Sequence, residues 1–376
     1  MKTTDNNLKI AIIIRKFDIS GGGAERYCVE LTRLLSIKHN VHVFSQKIST
    51  RIDNVVFHEV GQKLTRPRFI NQLIFSYKTK ALIKNLDFDI VHSHDIVSHA
   101  HIYTAHVPCF KTFLTKSKGL NKFQHNIRLL FNIRKLTYLF LESRAFNEKK
   151  IVISVSKLLA KNIANNYKNY SNNFIAYPGI SFNQSRAIKN KKNANFSILF
   201  IANNFRRKGL KYLIKAIELL NDTNIKLIVI GDDDPKSVTF DNRNVLRNTK
   251  FYGKVEDPRL FYQNADILVH PTHGDTYGMV VLEAMSYGVP VIVSNSDFCG
   301  ISETLTDNID SLILKDNKDV NEIALKILEL KNNQKKSQII SANAIKFAEK
   351  SDWNNTMNST LVAYKYHMNL AYRFKQ

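Results

Sequence analysis

The feature that most constrains the fold is a repeated alternation of short apolar runs with segments of helical periodicity. Residues 10–14 form a continuous apolar run, as expected for a parallel strand buried on both faces, and a helical pattern over 24–35 follows it. The order recurs along the first half of the chain, with a helix predicted at 69–86 and strands predicted at 41–44, 55–60, 89–93, 102–105 and 151–155. Such alternation is typical of a doubly wound α/β domain.

The alternation stops near residue 178 and starts again near residue 196. Tyr177-Pro178-Gly179 breaks the pattern, and a polar, basic stretch follows it. In the second series we predict strands at 198–202, 226–230, 267–270 and 291–293, and helices at 210–220, 279–287, 320–331, 335–350 and 354–372. A chain of 376 residues agrees with two domains at roughly 150 residues each.

We therefore predict four segments along the chain. An N-terminal acceptor-binding domain covers 1–178 and carries a basic aromatic segment at 110–150. A linker covers 179–195, a C-terminal nucleotide-binding domain covers 196–353, and a helix over 354–376 crosses back to the first domain. Because ligands of doubly wound sheets bind at the carboxyl ends of the strands, we expect two Rossmann-like domains that face a shared cleft.

Charge and cysteine content narrow the class of protein. The chain has 55 Lys and Arg against 32 Asp and Glu, a net charge of +23, which favours a polyanionic partner such as nucleic acid, anionic lipid or a phosphorylated substrate. Three widely spaced cysteines give no disulfide framework or zinc-ligand spacing, which indicates a reducing cytosol. No apolar run reaches the roughly 18 residues that a membrane-spanning helix needs, so we expect any membrane contact to be peripheral.

Two loops at predicted strand ends have the composition of anion sites. Residues 20–26 (SGGGAER) join the first strand to the first helix, where Gly22 and Gly23 allow a diphosphate to approach the backbone amides. The alternative is a tight turn that binds nothing. Arg207 and Lys208 precede the first helix of the second domain and place cations beside its N-terminus; the alternative is a solvated basic helix start.

The most specific motif spans residues 270–285 (HPTHGDTYGMVVLEAM). Asp275 and Glu283 are two carboxylates separated by seven residues, and Gly278 precedes a predicted helix between them. The amides of Met279 and Val280 would open that helix and could hold a phosphate, while Glu283 could accept hydrogen bonds from ribose hydroxyls. The alternative is a surface acid and an ordinary helical charge, but the apolar residues around Glu283 favour a specific partner.

This pattern resembles the signature of retaining family 4 glycosyltransferases of the GT-B fold. The resemblance extends along nearly the whole chain through residues 20–26, Thr104-Ala105-His106, Tyr177-Pro178-Gly179, Arg207-Lys208-Gly209 and the carboxylate pair. It is most similar to the bacterial enzymes that add glucose to heptose in the lipopolysaccharide core, which share the lead-in Ala265-Asp266 to His270-Pro271.

The resemblance implies roles for individual residues. Arg207 and Lys208 would bind the donor diphosphate, Glu283 the ribose, and Asp275 the transferred sugar. His106 would lie near that sugar in the first domain. The family usually has Glu at the position of Asp275, so the shorter side chain bears on which donor sugar is bound. The family needs no metal and no cofactor besides the nucleotide-sugar co-substrate.

Two further clusters resemble metal sites. Residues 232–234 (DDD) follow a predicted strand end where the family has a Gly-Asp loop, and we interpret them as that loop. His92, His94, His99 and His101 lie near His106, but no nearby carboxylate pattern completes a known metal site. We interpret these four as core or strand-end histidines.

The segment 110–150 combines ten Lys or Arg with interleaved aromatic residues and only two acids. Cations that attract anionic headgroups, together with aromatic side chains that enter the interface, are typical of a peripheral membrane surface. The related core glucosyltransferases carry a comparable basic insertion here. The alternative is a solvated helix whose apolar residues face the core. The cations that we assign to a membrane or acceptor surface are Lys111, Lys116, Lys118, Lys122, Arg128, Arg134 and Lys135.

The sequence thus predicts a retaining, metal-independent hexosyltransferase that uses a UDP-sugar, with UDP-glucose as the first candidate. Its acceptor would be lipopolysaccharide core or another membrane-associated glycan, at the inner face of the cytoplasmic membrane. One alternative is a basic nucleic-acid-binding protein, although no binding module is present and we expect no specific nucleic acid. Another is a catalytically inactive scaffold, which the retained Arg207, Lys208 and Glu283 disfavour.

Overall fold

The structure is a computed structural model that describes residues 7–61, 66–115, 132–147, 150–167, 172–181 and 195–373. The chain divides into two compact units. Unit 1 comprises residues 1–179 and 353–376, and unit 2 comprises residues 180–352. The predicted linker 179–195 lies mostly outside the described residues. Within the described part of the chain, no helix is long and apolar enough to cross a bilayer.

Unit 1 is built on a parallel sheet of seven strands in the order β5-β3-β1-β6-β7-β8-β9. The strands are β1 (Lys9–Ile13), β3 (Asn40–Ser45), β5 (Val55–Glu59), β6 (Ile90–Ser93), β7 (Ile102–Ala105), β8 (Ile151–Ser154) and β9 (Asn173–Ile175). A separate pair, β2 (Lys16–Phe17) and β4 (Lys47–Ile48), lies beyond the ends of β1 and β3. The register aligns Ile13 of β1 with Phe44 of β3 and Ser93 of β6, so the loops that follow these strands leave the same edge of the sheet.

The helices of unit 1 include one element from the far end of the chain. They are α1 (Gly23–Leu35), α2 (Arg68–Ile83), α3 (Phe110–Thr115), α4 (Ile133–Ala145), α5 (Lys157–Asn166) and α12 (Trp353–Arg373). The last helix packs against α1 and against strands β7 to β9. Tyr364 of α12 contacts His92 with its hydroxyl 2.8 Å from Nδ1, and Thr356 donates a 2.6 Å hydrogen bond to the carbonyl of Tyr177. Unit 1 therefore includes the C-terminal helix.

Unit 2 repeats the architecture with a six-stranded parallel sheet in the order β12-β11-β10-β13-β14-β15. The strands are β10 (Phe196–Ile201), β11 (Ile225–Ile230), β12 (Thr249–Phe251), β13 (Ile267–His270), β14 (Val291–Ser294) and β15 (Leu312–Leu314). The helices are α6 (Leu210–Leu220), α7 (Arg243–Arg247), α8 (Arg259–Asn264), α9 (Met279–Ser286), α10 (Val320–Asn332) and α11 (Gln334–Lys350). The core lies between the sheet and α6 and α10, where Phe200, Leu213 and Ile327 are fully buried.

The predicted doubly wound fold is confirmed in both units, and the elements that the sequence missed are short. Three of them, β9, β12 and β15, are three-residue strands at sheet edges. An edge strand is paired on one side only and is partly exposed, so it lacks the continuous apolar run that marks a central strand. In each sheet the strand order reverses direction once, between β1 and β6 in unit 1 and between β10 and β13 in unit 2.

Candidate active site

The carboxyl ends of β10 and β13 bring the predicted residues of unit 2 together. Open α/β sheets bind ligands beyond the strand ends at the point where the strand order reverses. Lys208 lies in the turn between β10 and α6, and Asp275 lies in the loop between β13 and α9. These two residues are 67 positions apart in the sequence and in direct contact in the structure.

Lys208 and Asp275 form a nearly buried ion pair, in which the ammonium contacts carboxylate oxygen Oδ2. Their side chains are only 11% and 19% exposed. His270 lies 3.0 Å from the same oxygen through Nε2, and the amide of Tyr277 approaches Oδ1 at 3.4 Å. Burial opposes ionisation of Asp275, but Lys208 and His270 outweigh it and hold the pKa of this carboxyl well below its usual range. Lys208 is therefore a fixed cation, neutralised on one side.

Two glycines permit the close approaches around this ion pair. Gly209, which follows Lys208, has φ of +81°, and a Cβ atom there would lie 2.0 Å from the carbonyl oxygen of Pro271. Gly278 has φ of +106°, and a Cβ atom there would lie 2.8 Å from Sγ of Cys299. Both positions are strained for any other residue. The two glycines thus let the loops that carry Lys208 and Asp275 pack against their neighbours.

Helix α9 begins directly after Gly278, as the sequence predicts. Met279 and Val280 are its first residues and are partly exposed. The first amides of a helix have no intrahelical acceptors and lie at the positive end of the helix dipole. Met279 and Val280 can therefore donate to an anion at this edge of the sheet.

Glu283 lies on the same helix and has a defined partner. Tyr262 of α8 donates a 2.6 Å hydrogen bond to Oε2 of Glu283, and the Tyr262 ring stacks on Tyr287 at 5.5 Å between centroids. Glu283 is half-buried rather than a solvated helical charge. Tyr262 fixes one carboxylate oxygen, an effect that no motif in the sequence indicated.

Arg207 is placed beside the ion pair by its backbone rather than by its side chain. Its amide donates to Oδ1 of Asn204 at 2.7 Å, and its carbonyl accepts from the amide of His273 at 2.8 Å. The second bond ties the Lys208 turn to the loop that carries Asp275. The guanidinium itself is exposed.

The only group of potential metal ligands among the described residues is His270, Asp275 and Cys299, whose ligand atoms lie within 4.8 Å of one another. The donor set fits a cation poorly, because the Lys208 ammonium already contacts Asp275. Burial also raises the pKa of Cys299, which keeps the thiol protonated. The acidic residues 232–234 serve the loop instead: Asp233 accepts from the amide of Phe205 at 2.7 Å, and Asp234 accepts from Lys236.

In unit 1, the glycine loop begins helix α1. Gly22 is the residue before the helix and Gly23 is its first residue. The side chain of Glu25 turns back over this loop, since a Cβ atom on Gly22 would lie 2.9 Å from its Oε2. A carboxylate at that position repels phosphate, so a diphosphate reaches these amides only if Glu25 moves away.

His106 follows β7 and borders a cavity of about 360 Å³ at the carboxyl ends of β1, β6 and β7. Its Nε2 lies 3.0 Å from Nδ1 of His94, and its ring packs on Tyr27 at 5.0 Å between centroids. Burial lowers the pKa of His106 to about 3, so the ring is neutral near pH 7. Arg15 and Asp95 form an ion pair at 2.9 Å in the same cavity.

Three of the seven predicted surface cations are among the described residues. Arg134 is exposed and Lys135 half-buried, both on α4. Lys111 differs from the prediction, since its ammonium donates a 2.8 Å hydrogen bond to the carbonyl of Asn166 and lies 4.9 Å from the Tyr167 ring centre. Lys116, Lys118, Lys122 and Arg128 lie outside the described residues.

Sequence reasoning missed three residues that the structure places at these sites. Tyr262 carries no motif, and only the fold brings it to Glu283. His270 belongs to the lead-in of the carboxylate motif, but its contact with Asp275 was not predicted. His94 was interpreted as a core histidine, although its spacing from His92 puts both on one face of the β6 end.

Comparison with known proteins agrees with this geometry. The family model described as Glycosyl transferases group 1 matches residues 181–347, and the model described as Glycosyltransferase Family 4 matches residues 21–183. An uncharacterized glycosyltransferase of Methanocaldococcus jannaschii, MJ1178, is 27% identical over 336 residues, which cover 89% of this chain and 91% of that protein.

Two proteins of known structure are also similar. The lipopolysaccharide glucosyltransferase WaaG of Escherichia coli is 28% identical over 155 residues, which cover 39% of this chain and 40% of WaaG. A crystal structure of WaaG matches with a TM-score of 0.76 at 20% identity, over 94% of this chain and 98% of that chain. Anabaena HepE, crystallised with UDP-glucose, matches with a TM-score of 0.66 at 16% identity, over 98% and 100%. The two family models between them span both halves of the chain in their usual order, and the chain is a glycosyltransferase of family 4 with the GT-B fold.

Proposed function

We propose that this glycosyltransferase moves a hexose from a UDP-sugar, with UDP-glucose as the first candidate, to lipopolysaccharide core or another membrane-associated glycan, with retention of configuration. The observation that carries the proposal is the fixed ammonium of Lys208 at the switch point of the unit 2 sheet, beside the N-terminus of α9. A fixed cation and free helix amides at one sheet edge make a diphosphate site. The names of WaaG and HepE, which mention glucosyl transfer and UDP-glucose, support the choice of donor.

The donor would be held by several groups of unit 2. Lys208 and Arg207 neutralise the diphosphate, and the amides of Met279 and Val280 donate to it. Glu283 accepts from ribose hydroxyls through the oxygen that does not receive the Tyr262 hydrogen bond. Tyr262 keeps that carboxylate oriented, which lowers the entropy lost when the ribose binds.

Transfer would proceed by substitution on the same face of the sugar. The bond from the anomeric carbon to the diphosphate oxygen breaks, and a bond to the acceptor hydroxyl oxygen forms. The hydroxyl proton passes to the leaving diphosphate oxygen. Lys208 and the α9 amides stabilise the charge that develops on the diphosphate, and fixed dipoles of this kind are typically a large part of catalysis.

Asp275 would serve two purposes in this scheme. Oδ2 holds the Lys208 ammonium, while Oδ1, with its long 3.4 Å contact to Tyr277, accepts a hydroxyl of the hexose. The shorter side chain than the usual Glu sets this oxygen closer to the loop backbone, so the hexose is bound nearer to Gly278. In unit 1, neutral His106 would bind a saccharide hydroxyl.

Lys208 supplies at this site the positive charge that a metal ion supplies in other transferases, so we propose that no metal is needed. We expect the protein to release UDP slowly from one member of a panel of UDP-hexoses, at the same rate with EDTA as with Mg²⁺. Liberated UDP is measured by a coupled assay. A rate that disappears with EDTA and returns with Mg²⁺ contradicts the metal-free proposal.

A variant separates true donor binding from adventitious hydrolysis. Glu283→Ala removes the proposed ribose ligand from the surface of α9, and we expect UDP to bind about tenfold more weakly by calorimetry. Failure of the unmodified protein to bind UDP or to release it from any UDP-hexose overturns the proposed function.

We propose that helix α4 contributes to a peripheral membrane surface. Ile133, Leu136 and Phe140 follow one another at spacings of three and four, and are 69%, 37% and 51% exposed. Residues so spaced share one face of a helix. Arg134 is exposed beside this stripe, and the Arg144 guanidinium lies 5.4 Å from the Phe140 ring centre. Apolar anchors flanked by cations suit an anionic lipid surface.

Replacing Leu136 and Phe140 with serine is expected to weaken binding to phosphatidylglycerol vesicles about tenfold, because each lost apolar group removes roughly 1 kcal/mol of interfacial burial. The measurement is co-sedimentation with the vesicles. Ile37→Ser is the matched control, since Ile37 is 74% exposed elsewhere in unit 1. Equal losses for both variants, or binding of duplex DNA as tight as that of vesicles, count against the membrane proposal.

A further inference from the structure

His94 is a buried histidine of unit 1 with one ring nitrogen left unpaired. Its Nδ1 lies 3.0 Å from Nε2 of His106, whereas its Nε2 is buried with no hydrogen-bond partner among the described residues. The residue is 6% exposed and lines the 360 Å³ cavity at the ends of β1, β6 and β7. Buried polar atoms are nearly always paired, so an unpaired one that borders a cavity indicates a ligand position.

The ring of His94 is held in place from several sides. It stacks on His92 at 4.6 Å between centroids, and Tyr27 packs against it at 5.8 Å. His92 is itself fixed, with the Tyr364 hydroxyl 2.8 Å from Nδ1 and the Thr104 hydroxyl 2.6 Å from Nε2. Because the ring cannot turn away, Nε2 keeps its place beside the cavity.

The chemistry of the His94–His106 contact defines the group that Nε2 can bind. Burial keeps both rings neutral, so each carries one N–H. If His106 donates to Nδ1 of His94, then Nε2 of His94 is a donor; if His94 donates, then Nε2 is an acceptor. A hydroxyl group satisfies either tautomer. A phosphate can pair with only one of them, and an ammonium only with the other.

The rest of the cavity lining favours a ligand with several hydroxyls. Asp95 and Glu25 present carboxylate oxygens, which accept from hydroxyls, and Tyr138 presents an aromatic side chain. Arg15 is paired with Asp95 at 2.9 Å, so the two charges offset each other. The volume lies within the range of roughly 300–1,000 Å³ that is typical of small-ligand pockets. A saccharide fits this combination.

We infer that Nε2 of His94 binds a hydroxyl group of a saccharide in the unit 1 cavity, while Nδ1 of His94 holds His106 in position. The inference rests on the proposed function for the identity of the ligand as a sugar substrate. It assigns a binding role to a residue that sequence analysis interpreted as part of the core. The hydroxyl belongs either to the hexose of the donor or to a saccharide acceptor.

Two substitutions separate the two nitrogens. His94→Asn places an amide near the position of Nδ1 and keeps the contact with His106, but it leaves Nε2 without a substitute. His94→Gln places an amide near the position of Nε2 instead. His99→Gln is the matched control, because His99 is a partly buried histidine in the loop between β6 and β7 that does not line the cavity.

The first readout is kcat/KM for UDP release from the UDP-hexose that the unmodified protein hydrolyses fastest. The second is transfer to methyl glycosides added as acceptor probes. We expect His94→Asn to lower one of them about tenfold, with UDP affinity unchanged, and His94→Gln to retain more activity than His94→Asn. A loss in hydrolysis assigns the hydroxyl to the donor hexose, and a loss confined to transfer assigns it to the acceptor.

Wild-type values of both readouts in His94→Asn overturn the inference. Nitrogen-15 spectroscopy of the histidine rings gives a test that needs no variant: methyl α-D-glucopyranoside or the active UDP-hexose should shift the Nε2 resonance of His94, whereas UDP alone should not. An unchanged resonance at saturating ligand shows that Nε2 binds only water and also overturns the inference. Failure of the unmodified protein to bind UDP is a separate result that contradicts the proposed function.

Discussion

Replacing Lys208 with methionine is expected to lower turnover of the UDP-hexose by roughly 10²–10³-fold, because it removes a fixed cation at the point where charge develops on the diphosphate. Methionine preserves most of the side-chain volume in a position where only 11% of the lysine side chain is exposed. Affinity for UDP should fall as well, since UDP carries the same diphosphate. Both quantities can be measured on one preparation, by the coupled assay and by calorimetry.

The ion pair with Asp275 requires a further variant. Lys208→Met leaves the Asp275 carboxylate partly buried with only His270 and a backbone amide beside it, and a single unpaired charge of this kind destabilises by about 3 kcal/mol. Asp275→Asn removes that charge. If Lys208 acts on the diphosphate, the double variant binds UDP as weakly as Lys208→Met while recovering its thermal stability. Recovery of UDP affinity in the double variant would show that Lys208 only supports the fold.

Lys211→Met is the matched control for this series. Lys211 lies three residues after Lys208, on the exposed face of α6. Its removal lowers the net charge by the same amount without touching Asp275, so we expect UDP affinity and turnover to remain as in the unmodified protein. An equal loss in Lys211→Met would mean that the overall charge of the surface, rather than the buried ammonium, attracts the donor.

Unit 1 is expected to lose about 3–4 kcal/mol of stability between pH 7 and pH 5.5. Burial lowers the pKa of His92 and of His106 to about 3 and lowers that of His94 as well. In the unfolded chain these histidines take up protons below about pH 6.5, while in the folded chain they remain neutral down to about pH 3. The unfolded state therefore binds more protons throughout this window, and stability falls as the pH falls, by about 1.2 kcal/mol for each histidine over this range.

Tryptophan fluorescence makes this prediction measurable for unit 1 alone. The chain has one tryptophan, and Trp353 packs in unit 1 with its ring 5.6 Å from that of Tyr27. Urea unfolding at pH 7 and at pH 5.5, followed by that fluorescence, gives the two free energies. The range stays above the pKa of most carboxyl groups, so histidines dominate the difference.

His99→Gln tests whether buried histidines are the cause. Burial lowers the pKa of His99 to about 4, and its ring nitrogens have no hydrogen-bond partners in the described part of the chain. The variant should reduce the stability difference between the two pH values by about 1 kcal/mol. A free energy of unfolding that is the same at pH 7 and pH 5.5 would mean that the histidines are solvated in the folded state.

The sequence predicted the repeated fold because its signal is local. A central parallel strand such as β1 or β13 is buried on both faces, so its apolar run is continuous and can be recognised without knowledge of the rest of the chain. The same holds for the starts of α1 and α9, where glycine precedes a helical pattern. The three-residue edge strands gave no such signal, because half of their surface is exposed.

The site was predicted unevenly for a related reason. Lys208, Asp275 and Glu283 belong to short motifs, and the family resemblance implied their roles. The partners that determine their behaviour come from distant parts of the chain: Tyr262 reaches Glu283 from α8, and the contact of Asp275 with Lys208 spans 67 residues. Motifs do not record such contacts, because they are created when the carboxyl ends of neighbouring strands meet at one sheet edge.

By itself the sequence determined the two doubly wound units, the positions of the loops at their strand ends and the chemical types of residue in those loops, since each of these depends on periodicity and composition within a few turns of chain. Only the tertiary structure decided that the Lys208 ammonium is held by Asp275, that Glu25 covers the glycine loop, and that His94 has an unpaired nitrogen beside a cavity. Those facts depend on burial and on the distances between side chains, which are fixed only when the sheet aligns strands that lie far apart in the sequence.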